Sequence, residues 1–76
     1  MLDSFSISPS TLARLRAAYP VGSRVELVYM DDPYCKLSEG SLGTVMSVDD
    51  IGTIHVAWDC GSSLGIVYGE DTCRRI

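Results

Sequence analysis

The spacing of hydrophobic positions changes near residue 20 and divides the chain into a helical and a β-forming part. Between residues 7 and 19 the apolar residues recur three or four positions apart, as on one face of an α-helix. Ser8 can serve as the N-cap, and Pro9 suits the first helical position, where its missing N–H costs no hydrogen bond. Pro20 ends the helix because it disfavours helical backbone in the residue before it. The spacing places Leu12, Leu15 and Tyr19 toward a sheet, and Arg14 and Arg16 away from it.

After residue 20, apolar and polar residues alternate with a period of two, which is typical of strands with one buried face. Clusters of Gly, Asp, Ser and Pro interrupt this alternation and mark turns. The pattern predicts five strands, at residues 24–30, 41–48, 53–58, 63–68 and 73–76. The residues expected to face inward include Val25, Leu27, Tyr29, Ile54, Val56, Trp58, Leu64, Ile66 and Tyr68.

The connections between these strands differ in length. Residues 31–40 form a polar, proline-containing loop after the first strand, whereas residues 49–52, 59–62 and 69–72 are short turns. Gly52 is available for a positive φ at the end of its turn. Gly43, inside the second strand, suggests a bulge or a sharp bend that would let a small sheet curl.

These elements predict a mainly β fold, a small five-stranded SH3-like barrel preceded by a short N-terminal α-helix. Residues 1–20 would form the tail and helix, and residues 21–76 the barrel domain. Curling the sheet into a barrel would protect its edges. The helix would lie across an open end of the barrel or pair with a second copy, so a homodimer stays open as an interpretation.

Composition narrows the classes of function. A chain of 76 residues allows one domain and leaves little length for an enzyme cleft. The net charge of -4 argues against a protein that binds nucleic-acid phosphates, which needs a surplus of Lys and Arg. A basic protein partner suits this charge better.

The N-terminal residues show no signal-peptide pattern, and no apolar run has the length of a membrane span. The three cysteines form no CxxC pair, so reduced thiols are the default expectation. We therefore expect a soluble, cytoplasmic protein without membrane contact.

Several short motifs occur in a specific order along the chain. They are V-G-S-R-V-E-L-V at 21–28, D-D-P-Y at 31–34, G-T-V at 43–45, G-T-I-H-V-x-W-D at 52–59, G-S-S-L-G at 61–65 and G-E-D at 69–71. In this combination the chain, from about Tyr19 onward, resembles the domain of unknown function 4314. The resemblance implies a compact β domain of bacteria, phages and mobile elements with no assigned activity. In layout, Gly22-x-Arg24-Val25 followed by Gly43-Thr44-Val45 is also similar to the KOW-type modules of ribosome and transcription proteins.

Catalysis and metal binding find little support in the sequence. The single histidine, His55, is expected on the outward face of the third strand, where the sequence places no nucleophile and acid beside it. Together with Cys35, Cys60 and Cys73 it would supply four ligands, but their spacing lacks the paired pattern of structural zinc sites. We predict no catalytic residue, no metal and no cofactor.

A recognition surface is the remaining candidate. The first loop and the hairpin that would face it contain the residues of a predicted partner-binding site, which are Asp31, Asp32, Tyr34, Trp58 and Asp59. Trp58 also has the periodicity of a core residue, and that interpretation competes with the first. We expect a non-enzymatic module that acts by protein contact. The alternatives are an acidic, nucleic-acid-mimicking phage inhibitor of host defence, of the anti-CRISPR kind, and a KOW-like RNA or ribosome binder.

Overall fold

The computed structural model describes residues 7–31 and 37–76. Five strands form one antiparallel sheet in the order β4-β3-β2-β1-β5. The prediction of a mainly β fold with a short helix in front is confirmed, although the fourth strand is shorter than residues 63–68. The elements are α1 (Pro9–Ala18), β1 (Arg24–Tyr29), β2 (Leu42–Val48), β3 (Thr53–Trp58), β4 (Gly65–Val67) and β5 (Thr72–Arg75).

The sheet is open, so barrel closure is not confirmed. Its edges, β4 and β5, come into contact but do not pair within the described residues. The backbone N–H and carbonyl groups of Val67 already form hydrogen bonds with residues of the corner after β4. The Val67 carbonyl accepts hydrogen bonds from the N–H groups of Glu70 and Asp71, and its own N–H donates to Asp71 Oδ2 at 2.9 Å. At this residue a neighbouring strand has no free backbone group to pair with.

The core lies on one face of the sheet, and Trp58 is its largest member. Trp58 is 3% exposed, and its indole N–H donates to the Leu64 carbonyl at 2.8 Å. An ideal Cβ on the buried Gly43 would lie 2.9 Å from Trp58 Cε3, so glycine is required here by close packing. A bulge or a sharp bend was expected at Gly43, and the register shift of β2 lies instead between Val45 and Ser47. The buried hydrophobic residues are Val25, Leu27, Val45, Ile54, Val56, Trp58, Ile66 and Cys73.

Three residues expected to face the core are exposed. Tyr29 is 49% exposed because the β1–β5 register shifts between Leu27 and Tyr29, and the extra residue turns the tyrosine to the other face. Leu64 and Tyr68 lie just outside the short β4, where the strand alternation no longer orients them. In β4, therefore, only Ile66 is buried.

The helix packs against the sheet, as the spacing of its apolar residues predicts. Leu15 and Tyr19 contact the core, and the Tyr19 hydroxyl donates to the Cys73 carbonyl at 3.1 Å. Arg16, expected to point away, instead bonds the Val48 carbonyl and Asp50, the latter at 2.8 Å. Its long side chain reaches back from the exposed helix surface to the β2–β3 hairpin. Among the described residues, no helix is long and apolar enough to cross a membrane.

The start of α1 offers a local test of stability. Ser8 is the N-cap, and its hydroxyl accepts a hydrogen bond from the Thr11 N–H at 3.2 Å. We expect Ser8→Ala to lower the free energy of unfolding by about 1 kcal/mol, because a helix N–H loses its partner. That loss would lower the thermal midpoint by about 4–8 °C. Ser10→Ala is the control, since the Ser10 hydroxyl lies 3.4 Å from that of Ser8 but accepts no backbone N–H among the described residues. An equal effect of both substitutions in thermal denaturation would contradict the capping role.

Candidate protein-binding surface

Two of the predicted partner-binding residues, Asp32 and Tyr34, lie outside the described residues. A third, Trp58, is described and is not accessible. Its ring is buried and its N–H is already bonded to the Leu64 carbonyl. The competing interpretation of Trp58 as a core residue is confirmed.

Asp59 is exposed but engaged in an ion pair. Arg24 donates from Nη1 and Nη2 to the two carboxylate oxygens of Asp59, at 2.8 and 2.5 Å. The hydrogen bond from Arg24, followed by its charge, lowers the pKa of Asp59 against the opposing effect of burial. Arg24 also donates to Thr44 Oγ1 at 2.9 Å, so its guanidinium is held in place by two partners. The negative charge of Asp59 is locally compensated.

Asp31 lies at the opposite end of β1 from this ion pair. Arg24 begins the strand and Tyr29 ends it, two residues before Asp31. Five steps along a strand span roughly 17 Å. The structure therefore separates Asp31 from Asp59, which the sequence analysis had grouped in one site.

Asp31 belongs to a second cluster, formed around the exposed ring of Tyr29. The Tyr29 hydroxyl donates to Asp31 Oδ1 at 3.3 Å. The charge of Asp31 and this hydrogen bond raise the pKa of Tyr29, and partial burial and the charges of Asp71 and Glu39 act in the same direction. Three carboxylates therefore act on one exposed phenol. We call these residues, Tyr29, Asp31, Glu39 and Asp71, the acidic surface.

Asp71 holds this surface together. Its Oδ1 accepts the Asp31 backbone N–H at 2.8 Å, and its Oδ2 accepts the Val67 N–H at 2.9 Å. One carboxylate thereby joins the start of the first loop to the end of β4. Such charge-assisted hydrogen bonds are stronger than neutral ones and fix the geometry. The position of Asp31 beside Tyr29 is consequently determined by the fold.

The charge of the acidic surface is not compensated by the described cations. Asp31, Glu39 and Asp71 take part in none of the ion pairs between described residues. Carboxylates without a cationic neighbour attract positive charge on a partner. The ion pairs that do form among residues 7–31 and 37–76 are Arg16–Asp50, Arg24–Asp59, Arg74–Glu26 and His55–Asp49.

Sequence reasoning missed Tyr29, Glu39 and Asp71 as site residues. Simple alternation assigned Tyr29 to the core, and no local sequence signal reveals the register shift that turns it outward. Asp71 is 40 residues from Asp31 and meets it only because β5 pairs with β1. The sequence offered one hint of this site, the acidic residues Glu70 and Asp71 after β4, and they were assigned to a turn.

Among the residues that the structure describes, His55 contacts one acidic residue, Asp49. His55 Nε2 lies 2.9 Å from Asp49 Oδ2, and Asp49 Oδ1 accepts the N–H groups of Ile51 and Thr53. Although burial acts to raise it, hydrogen bonds from His55, Thr53 and Ile51 lower the pKa of Asp49. The contact stabilises the β2–β3 turn, where Gly52 has the expected positive φ of 86°.

The described cysteines are in different surroundings. Cys60 is exposed and Cys73 is buried, and burial raises the pKa of the Cys73 thiol. Cys35 lies outside the described residues. Within the part of the chain that the structure describes, no three His, Cys, Asp or Glu side chains form a group that could hold a metal ion.

Comparisons with known proteins place the chain in a family. No curated protein and no solved structure matches it. A protein-family model described as "Domain of unknown function (DUF4314)" matches residues 8–76. The match includes helix α1, whereas the resemblance in the sequence analysis began only near Tyr19. That resemblance is confirmed, and the chain belongs to the DUF4314 family.

Proposed function

We propose that this chain is a non-enzymatic binding module that contacts a basic protein segment through the acidic surface. The observation that carries the proposal is the exposed phenol of Tyr29, with Asp31 hydrogen-bonded to it and no cation paired with the surrounding acids among the described residues. Exposed aromatic residues next to uncompensated charge are characteristic of interaction sites.

The arrangement favours protein contact for a physical reason. A tyrosine contributes a large, rigid contact area and loses little conformational entropy when it is bound. The hydrogen bond to Asp31 already restricts the orientation of the phenol. The hydrogen bond from the Asp31 N–H to Asp71 in turn restricts the position of Asp31. Preorganisation of this kind lowers the entropic cost of association.

We propose an SH3-like barrel as the scaffold. We further propose that the protein acts in the cytoplasm of a bacterium, or is encoded by a phage or mobile element. The strand order supports the scaffold, because four strands follow one another as neighbours and the fifth returns beside the first. Contact between the two edge strands supports it as well. An SH3-like barrel leaves loops at the ends of its strands, where they can contact a partner.

The test uses a defined basic probe, the peptide acetyl-KRKAKRK-amide, titrated into the full chain at low salt and followed by NMR. We expect the largest shifts at the acidic surface, and an affinity that falls as salt is added. The double substitution Asp31→Asn with Glu39→Gln should weaken binding about tenfold, roughly 1.4 kcal/mol. Tyr29→Ala should weaken it further because contact area is lost.

Asp50→Asn is the matched control for charge. It removes a carboxylate that pairs with Arg16, away from the acidic surface. If Asp50→Asn weakened binding as much per charge as the double substitution, attraction to the overall net charge would explain the result and the local site would be refuted. Retention of the chain on heparin or RNA at low salt would instead favour the KOW-like alternative.

A further inference from the structure

A groove of about 320 Å³ opens beside the sheet, between α1 and the edge strands β4 and β5. Its walls combine apolar and polar surface, and the apolar share is the larger. Ile54 and Ile66 contribute from the core, Leu15 from the helix, and Tyr68 stands half-exposed at the rim. The groove thus offers a partly apolar surface that is open to solvent.

The groove is continuous with the acidic surface. Asp71, which clamps Asp31, also lines the groove, and so does Thr72. Thr72 is the cross-strand partner of Tyr29 in the β1–β5 pairing. Directly opposed residues in such a pair have Cβ atoms about 4.5–5.5 Å apart. Asp71 and the paired residues Tyr29 and Thr72 therefore connect the acidic surface to the edge of the groove.

The size and charge of the groove restrict its occupant. A volume of about 320 Å³ is at the lower limit of small-molecule sites, which range from about 300 to 1,000 Å³. It suits one bulky apolar side chain better than a cofactor. The described lining contains the carboxylate of Asp71 and no Lys or Arg, so an anionic ligand would meet repulsion.

We propose that the groove receives one bulky apolar side chain of the same basic segment that binds the acidic surface. This inference rests on the proposed function and specifies its partner class, a peptide segment in which Lys or Arg residues flank a leucine, methionine or phenylalanine. The basic residues contact Asp31 and Glu39, and the apolar residue buries its surface beside Ile54 and Ile66. Apolar burial supplies affinity that screened charges alone do not provide.

The experiment compares acetyl-KRKFKRK-amide with acetyl-KRKAKRK-amide, two peptides of equal charge. The phenylalanine peptide should bind at least tenfold more tightly to the full chain. Nuclear Overhauser effects should connect its ring to the methyl groups of Ile54 and Ile66. Thr72→Phe, which places a ring at the groove, should reduce the affinity for the phenylalanine peptide to that for the alanine peptide.

Ser47→Phe is the matched control, because it adds the same ring to an exposed strand position that does not line the groove. It should leave both affinities unchanged. An amide NMR spectrum of each variant establishes that it is folded before binding is compared.

The outcomes separate this inference from the proposed function. Equal affinity for both peptides, with both still weakened by Asp31→Asn and Glu39→Gln, would overturn the groove proposal and leave the proposed function intact. Insensitivity of both peptides to that double substitution would overturn both. Overhauser effects from Phe5 to Ile54 in the free chain, or a dimer abolished by Thr72→Phe, would show another occupant and also overturn the groove proposal.

Discussion

Trp58→Ala is expected to lower the free energy of unfolding by about 3–5 kcal/mol, the range for removing a buried large aromatic side chain. Trp58 is 3% exposed and belongs to the buried core. A 76-residue domain has a total stability of roughly 4–11 kcal/mol at the usual value per residue. This one substitution therefore removes a large share of the total stability.

Trp58→Phe separates packing from hydrogen bonding at the same position. It keeps most of the apolar volume but leaves the Leu64 carbonyl without its indole donor. The loss should be about 1–3 kcal/mol, smaller than that of alanine. Guanidinium unfolding followed by far-UV circular dichroism provides the measurement, because the variants lack the chain's single tryptophan as a fluorophore. A loss below 1 kcal/mol for Trp58→Ala would contradict the buried position.

Gly43→Ala should be destabilising although it adds only a methyl group. The new Cβ would lie 2.5 Å from Val56 Cγ1, 2.9 Å from Trp58 Cε3 and 3.1 Å from the Ala57 carbonyl oxygen. Overpacking of this kind costs about 1–3 kcal/mol, because the core or the paired strand must shift. Guanidinium unfolding of the variant measures the loss directly.

A double substitution tests whether crowding is the cause. Val56→Ala removes the nearest atom, so Gly43→Ala should cost less in that background than in the natural chain. Additive losses would show that contact with Val56 does not determine the effect. A neutral Gly43→Ala would show that β2 and β3 lie farther apart at this position.

The acidic surface shows how far sequence reasoning reached at the candidate site. Asp31 was identified as a site residue because the polar loop after β1 was recognisable from its composition. Its companions were not, because Tyr29 owes its exposure to one extra residue in the β1–β5 pairing. A shift by one residue reverses the face of every following side chain, and the hydrophobic pattern alone does not report it. Trp58 and Asp59 were neighbours in sequence, yet one is buried and the other is paired with Arg24.

Features that depend on nearby residues were determined by the sequence itself. The N-cap at Ser8, the end of the helix before Pro20, the five strands and the positive φ at Gly52 all follow from interactions within a few positions. The tertiary structure decided the outward turn of Tyr29, the clamp between Asp71 and Asp31, the groove beside α1 and the open sheet edge. These features arise from strand register and from contacts between distant residues, and many registers are compatible with the same local pattern.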